Sequence, residues 1–171
     1  MKQRRWWLGT LLIAGASLAA TGCTGPGGSA VTGEEIRQEG SVIWSGPTVS
    51  FSKADGADPA LAENQDRVTD SVWITRGNDG GQIFNAQERA NASKPESPVG
   101  TLWAVGTTDD IPDLEFRRFR PTVGKPRSVP GTNLVMYIEA EQIFVDVTFQ
   151  SWSQGKAGGF SYERGSPGPE Q

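Results

Sequence analysis

Two apolar runs near the C-terminal end constrain the fold more than any other feature of this sequence. Residues 133–139 and 142–150 are separated by so few residues that they predict a β-hairpin. In the second run every other side chain is apolar and the intervening ones are mostly polar, with Ile143, Val145, Val147 and Phe149 alternating with Phe144, Asp146, Thr148 and Gln150. This period of two is typical of an antiparallel sheet that covers a core with one face.

The chain between residues 41 and 164 consists largely of similar short runs separated by turns. Further β-type runs occupy residues 41–44, 48–52, 68–75, 82–84, 100–105, 114–119 and 160–162. The 22 glycines and 11 prolines supply turns and argue against a helix bundle. Only residues 59–64 and 86–92 have a helical pattern. We therefore predict an all-β domain over residues 41–164, an antiparallel β-sandwich or jelly-roll-like barrel with one or two short helical turns.

The N-terminal segment, residues 1–22, has the pattern of a secretory signal peptide. Lys2, Arg4 and Arg5 precede an apolar stretch over residues 6–20, which is shorter than the roughly 20 apolar residues of a membrane-spanning helix. Small residues follow, and then comes the only cysteine, Cys23. Residues 1–23 resemble a bacterial lipoprotein signal, although Ala20 stands where that family usually has Leu. The resemblance implies lipidation of Cys23 and anchoring of the chain to a membrane.

Other parts of this resemblance bear on localisation. Thr24 follows the cysteine where Asp usually retains such proteins at the inner membrane, which favours the outer membrane of a Gram-negative cell. The pair Arg4-Arg5 before Trp7 also resembles a twin-arginine export motif, so the export route stays open. An ordinary cleaved signal that leaves a free thiol is the alternative. Residues 23–40 are then a lipid-anchored flexible tether and residues 165–171 a disordered tail.

Charge and missing residue types exclude several functions. Three of the 16 lysines and arginines lie in residues 1–22, so residues 23–171 carry 13 basic against 20 acidic residues, a net charge of −7. This balance disfavours nucleic acid as a partner, because nucleic-acid binding depends on cation–phosphate contacts. The sequence contains no histidine, which excludes a Ser-His-Asp triad and a His-ligated metal.

An acidic window suggests a calcium site. Asp55, Asp58, Asp66 and Asp70 lie within sixteen residues, and such oxygen ligands suit Ca²⁺. The spacing does not fit the EF-hand loop. The alternative is a solvated acidic loop whose side chains cap turns.

A basic cluster and a set of aromatic residues are the candidate ligand-binding groups. In an extended strand Arg118 and Arg120 share one face, where they would suit the phosphate or carboxylate groups of an acidic polysaccharide. Neutralisation by nearby acidic residues of the chain is the alternative. Trp152, with Phe160 and Tyr162, is predicted to form an exposed aromatic rim that stacks on sugar rings, whereas Trp44, Trp73 and Trp103 lie in apolar runs and are predicted core residues.

A second resemblance covers most of the predicted domain. Residues 53–75 and 152–164 resemble an uncharacterised all-β domain of exported bacterial proteins. The resemblance implies export and a β fold, and it carries over no activity.

The sequence favours binding over catalysis. We predict a lipid-anchored module of the cell envelope that binds polysaccharide, with Ca²⁺ organising the acidic loop. A structural envelope lipoprotein that acts through protein partners is the alternative. A small glycosidase is a third reading, for which Glu139, Glu141 and Asp146 would supply the pair of carboxyl groups.

Overall fold

A computed structural model describes residues 29–169, and most of the regular structure there is β. The eleven strands are β1 Val31–Thr32, β2 Val42–Ile43, β3 Val49–Lys53, β4 Asp66–Arg67, β5 Trp73–Arg76, β6 Ile83–Asn85, β7 Thr101–Val105, β8 Glu115–Phe116, β9 Asn133–Ile138, β10 Ile143–Trp152 and β11 Phe160–Arg164. Two short α-helices, α1 Gly33–Ile36 and α2 Phe119–Val123, accompany three 3₁₀ turns at Ala62–Asn64, Thr108–Asp113 and Pro126–Ser128. The predicted all-β class is confirmed.

The largest sheet is built around the predicted hairpin. Strands run in the order β3-β11-β10-β9-β7, each antiparallel to its neighbour, and β2 pairs in parallel with the start of β10. In the hairpin Ile143 lies opposite Ile138 and Asp146 opposite Val135. The sheet does not close on itself, so the architecture is a sandwich and the barrel alternative does not apply.

A second antiparallel sheet, in the order β4-β5-β6, contributes to the core on one face of the large sheet. Val145, Val147 and Phe149 of β10 lie in the same apolar cluster as Ile74 of β5 and Ile83 of β6. These are the alternate side chains that the sequence assigned to a core-facing surface.

The other face of the large sheet is also covered, which the alternation in β10 did not indicate. Phe144, Val135 and Tyr137 form a second cluster with Phe116 of β8 and Ile111 of the 3₁₀ turn. A strand that is buried on both faces reads as a continuous apolar run, as β9 does.

The ordered domain extends beyond residues 41–164 at both ends. Val31 of β1 pairs with Phe116, and a capping box between Thr32 and Glu35 begins α1, so residues 31–36 are not part of a flexible tether. At the other end the Gly46 amide donates to the Ser166 carbonyl at 2.9 Å. The predicted signal, Arg4, Arg5 and the lipidation site Cys23 lie outside the described residues.

Local predictions were wrong at three places. The helix predicted over residues 59–64 is only a 3₁₀ turn, Ala62–Asn64. Residues 86–92 form turns, because Asn85 Oδ1 accepts from the Gln87 amide in an Asx turn. The strand predicted over residues 114–119 ends at Phe116 and gives way to α2, since Pro121 lacks a ladder donor but fits the first turn of a helix.

Candidate functional site

A positively charged depression opens at one end of the sandwich, with a volume of about 460 Å³. We call it the basic cleft. Its lining comprises five cationic residues, Arg76, Lys94, Arg120, Lys125 and Arg127, together with Trp152, Gly81, Pro126, Ser153, Gln154 and Gly155. No carboxylate is among these residues. Four separate segments of the chain therefore bring basic or aromatic side chains to one place.

Arg76, at the end of β5, forms the base of the basic cleft. It follows Ile74 by two positions and so shares its inward face, which leaves the side chain only 2% exposed. The guanidinium carbon lies 4.2 Å from the centre of the Trp152 ring. This is a cation–π contact in a desolvated setting, where such contacts are strongest.

The hydrogen bonds of Arg76 are all to neutral backbone carbonyls. Nη1 donates to Ser153 at 3.0 Å and to Gly159 at 2.8 Å, and Nε donates to Gly81 at 3.4 Å. Within residues 29–169 the only buried polar side-chain atom without a partner is Gln82 Oε1. Arg76 Nη2 and Trp152 Nε1 donate to no described residue, and neither is fully buried. Both belong to residues that line the basic cleft.

The positive charge of Arg76 is only weakly compensated by its surroundings. Burial lowers the pKa of its guanidinium, and the charge of Asp55 acts in the opposite direction. The neighbouring Lys53 is 3% exposed and donates to Asn78 Oδ1 at 2.9 Å and to the Gly158 carbonyl at 3.3 Å. Burial, and then the charge of Arg76, lower the pKa of Lys53. The charges of Asp55 and Asp58, both exposed, act in the opposite direction on Lys53. Two buried cations therefore lie together, and the carboxylates that act on them are exposed.

The remaining cations form the rim of the basic cleft. Arg120 of α2 is half-buried, whereas Lys94, Lys125 and Arg127 are exposed. None of these four makes a salt bridge within the part of the chain that the structure describes. Their charges are therefore free to attract an anion.

Only one of the three residues of the predicted aromatic rim, Trp152, lies at the surface. Trp152 lines the cleft and is half-buried, but one face of its ring is covered by Arg76. Phe160 and Tyr162 are each 2% exposed, so their assignment to an exposed surface was wrong. They alternate with Ser161 and Glu163 along β11 and point into the core.

Of the three tryptophans predicted to lie in the core, two are buried and one is not. Trp44 and Trp103 are buried, at 9% and 1% exposure. Trp73 is instead half-buried on the outer face of β5, beneath the Arg67 guanidinium at 4.2 Å.

Arg118 does not share a surface with Arg120, because the chain is not a strand there. The Arg118 guanidinium donates to Glu139 and to the Thr101 carbonyl, at 2.8 and 2.9 Å. Arg120 alone of the predicted pair lines the basic cleft. For Arg118, neutralisation by an acidic residue is the outcome that the structure shows.

The four aspartates of the acidic window have separate roles. Asp66 is buried and binds Arg164 and Tyr162, Asp55 accepts from the Gly159 amide, and Asp58 caps the Ala60 amide. Asp70 is exposed. Across residues 29–169 no group of three or more metal-binding side chains comes together. Calcium binding by this window stays a prediction.

The three carboxylates considered for a glycosidase each have a structural partner. Glu139 accepts from Arg118 and Glu141 from Ser71, while Asp146 accepts from the Thr108 amide and hydroxyl at 2.8 and 2.6 Å. Asp146 is opposite Val135, so Glu139 lies four positions along the ladder, roughly 13 Å away at strand spacing. Glycosidase carboxyl pairs are closer, at about 5–10 Å.

The described residues thus form an all-β sandwich that presents one concentrated positive cleft on an acidic body. Protein-family models, curated proteins and solved structures were compared with the chain, and none of them matches. None of the helices within residues 29–169 has the length and apolar character to cross a membrane.

Proposed function

We propose that this chain is a cell-envelope module, anchored through a lipid on Cys23, whose basic cleft binds the acidic groups of a polysaccharide. The observation that carries the proposal is Arg76, a buried cation lining the cleft whose partners are carbonyls and an indole and whose Nη2 donates to no described residue. An anion would supply the opposite charge that this site lacks. Hydrogen bonds to charged groups contribute about 1.5–3 kcal/mol each.

The charge distribution supports an anionic ligand. Five of the 13 basic residues in residues 23–171 line one cleft, although that part of the chain has a net charge of −7. A cleft with one sign of charge concentrates the field and raises the local concentration of oppositely charged ligands. The acidic remainder of the surface repels the same ligands and so directs them to the basic cleft.

The other lining groups support a saccharide. Ser153 and Gln154 add hydroxyl and amide groups suited to sugar hydroxyls, and Trp152 contributes its indole N–H and ring edge. A volume of about 460 Å³ falls within the usual range of small-molecule sites. One or a few sugar units at an end or branch suit this cleft better than a long stretch of chain.

The test uses two triple variants of the full chain with the same change in net charge. Arg120→Gln, Lys125→Gln and Arg127→Gln remove rim cations, whereas Arg37→Gln, Arg89→Gln and Arg117→Gln remove cations that do not line the basic cleft. Polygalacturonate is the probe, and affinity is measured at about 50 mM and about 200 mM salt. We expect the rim variant to lose at least about tenfold in affinity, with a flatter salt dependence, since each charge-assisted bond contributes more than 1 kcal/mol.

The control variant should bind within about twofold of the unmodified chain, because its cations contribute only to the long-range field. An equal loss in both variants would mean that net charge, and not the basic cleft, determines binding. That result would contradict the proposal.

One further observation favours the alternative of a structural envelope protein. Strand β3 is an edge of the large sheet, and Val49, Ser50 and Ser52 are exposed along it. An open edge can accept a strand from another protein. If a partner protein binds there, Val49→Lys should weaken that complex and leave polygalacturonate binding unchanged, as measured by cross-linking and by the same affinity assay.

A further inference from the structure

We propose that the group bound at the base of the basic cleft is a phosphomonoester dianion, in preference to a carboxylate. This inference rests on the proposed function, since it concerns the same cleft, and it specifies the chemical class of the ligand.

Donors approach the cleft from different segments of the chain. Arg76 Nη2 comes from β5 and Trp152 Nε1 from the end of β10, while Arg120 comes from α2. Lys125 and Arg127 lie in and beside the 3₁₀ turn that follows α2. A carboxylate offers two oxygens in one plane, whereas a phosphomonoester offers three strong acceptor oxygens in a tetrahedral arrangement. The tetrahedral group can accept from more of these directions at once.

The balance of charge also favours a dianion. Five cations converge on about 460 Å³, and the acidic group that acts on Arg76 is the exposed Asp55. A carboxylate brings one negative charge to this space, while a phosphomonoester brings about 1.5 to 2 at pH 7. A single phosphomonoester therefore neutralises more of this charge than a single acidic sugar does.

A sulfate ester has the same shape but a single charge, and the pH dependence of binding distinguishes the two. The second pKa of a phosphomonoester is about 6, so the dianion forms between pH 5 and pH 8. The chain has no histidine that would titrate in that range. The charged groups that line the cleft are Arg76, Lys94, Arg120, Lys125 and Arg127. Behind them, Asp55 acts on Arg76, and both Asp55 and Asp58 act on the neighbouring Lys53.

Lys53 lies beside Arg76, and burial and then the charge of Arg76 lower its pKa. If it lost its proton within the measured range, binding of every anion would weaken as the pH rises. A sulfate ester measured on the same protein therefore reports any contribution of Lys53, because its own charge does not change.

The experiment measures the affinity of the full chain for glucose 6-phosphate, glucose 6-sulfate and galacturonate at constant ionic strength. If only the dianion binds, affinity for glucose 6-phosphate should rise about tenfold between pH 5 and pH 8, as expected from a pKa near 6. Glucose 6-sulfate and galacturonate should bind more weakly and show no such rise.

A short-chain phosphatidic acid serves as a second source of the same group. Binding of both phosphate compounds with the same pH dependence supports recognition of the phosphomonoester itself. Binding of phosphatidic acid alone also supports this chemistry and places the group on a lipid.

Two outcomes would overturn the inference. Galacturonate or glucose 6-sulfate that binds as tightly as glucose 6-phosphate, with flat pH profiles, would show that any anion suffices. Retention of polygalacturonate without binding of either phosphate compound would also reject the phosphomonoester. Both results leave the proposed function standing, whereas failure to bind polygalacturonate as well would reject the function itself.

Discussion

The domain contains two buried arginines that each lie near a tryptophan, and their partners differ. Arg164 of β11 is 8% exposed, and its guanidinium donates from Nε and Nη2 to the two oxygens of Asp66, at 2.7 and 2.8 Å. Tyr162 donates to the same carboxylate at 2.5 Å. Because Asp66 belongs to β4, this network joins the two sheets of the sandwich.

Arg76 is more buried than Arg164 but has no carboxylate in contact. Its hydrogen bonds go to three backbone carbonyls, and its guanidinium carbon lies 4.2 Å from the centre of the Trp152 ring. The pKa values reflect this difference. Burial lowers the pKa of both guanidinium groups, but the hydrogen bonds and charge of Asp66 outweigh burial at Arg164 and raise its pKa, whereas that of Arg76 stays lowered.

Arg164 is a paired cation within the fold, whereas Arg76 is a buried cation whose counter-charge the fold does not place in contact with it. A buried charge pair holds two elements together, and breaking it leaves an uncompensated charge. A buried cation whose hydrogen-bond partners are all neutral has no counter-charge in contact. In an acidic chain, such an arrangement is expected where an anion binds.

Removing the Asp66 carboxylate, which pairs with Arg164, should cause the largest loss of stability. Asp66→Asn leaves Arg164 buried without a counter-charge, which typically destabilises a protein by about 3–5 kcal/mol. Urea unfolding of the full chain measures the loss.

A double variant, Asp66→Leu with Arg164→Met, is the matched control. It should recover much of the stability, because apolar side chains of similar size often replace a buried ion pair without loss. A loss below about 1 kcal/mol for Asp66→Asn would show that the network contributes little to the fold.

The equivalent change at the unpaired site should affect stability less. Arg76→Met keeps an unbranched chain beside Trp152 and removes a charge that has no counter-ion in contact. Three carbonyls lose a donor in exchange. We expect the free energy of unfolding to stay within about 2 kcal/mol of the unmodified chain, since the loss of these bonds is offset by the removed cost of burying a charge. A loss as large as that of Asp66→Asn would contradict the distinction between the two sites.

The sequence predicted the architecture well because the architecture depends on local patterns. The hairpin of β9 and β10 was predicted from the alternation of apolar side chains and the short connection. The apolar cluster on the other face of the large sheet was not predicted, because Phe144 is a single apolar residue on a face of β10 that otherwise carries Asp146, Thr148 and Gln150. Segments distant in sequence, β1 and β8, cover that face, and no local pattern shows this.

The site was predicted only in part for a similar reason. Trp152 and Arg120 were identified separately, but the sequence did not show that they meet each other or Arg76. The sequence did contain a sign that Arg76 is buried. It lies two and four positions after the apolar Ile74 and Val72, so in a strand all three side chains share the inward face. In the same way Phe160 and Tyr162 alternate with Ser161 and Glu163, a pattern that indicates burial and not an exposed rim.

The phenol of Tyr162, which donates to Asp66 in the network with Arg164, should have a smaller effect on stability, and only at high pH. Burial and then the charge and hydrogen bond of Asp66 raise the pKa of Tyr162 well above 10.0. The folded chain therefore holds this proton to a higher pH than the unfolded chain does. The stability linked to it is fully present below the unfolded pKa of about 10 and is lost as the pH rises from there toward the folded pKa.

Tyr162→Phe should consequently flatten the decrease in unfolding free energy between about pH 9 and about pH 11. Tyr137, whose pKa is also raised by burial and then by Glu139, keeps part of the slope. Chemical denaturation at several pH values measures both contributions. An unchanged slope in Tyr162→Phe would mean that its phenol does not respond to Asp66.

The smallest effect on stability is expected at the rim. Lys125→Gln with Arg127→Gln removes two exposed cations without a salt bridge in the described chain. Such surface changes usually alter stability by no more than about 0.5 kcal/mol, which a thermal melt can verify. A much larger loss would show that these side chains support the fold, and their role in binding would then need another test.

The most direct measurement compares the affinity for polygalacturonate of the unmodified chain, Arg76→Met and Arg67→Met. Arg67 is the matched control, since its guanidinium also lies 4.2 Å from a tryptophan ring but outside the basic cleft. Arg76→Met should lose at least about tenfold in affinity while remaining folded, and Arg67→Met should lose less than about twofold. Unchanged binding by a folded Arg76→Met protein would contradict the account.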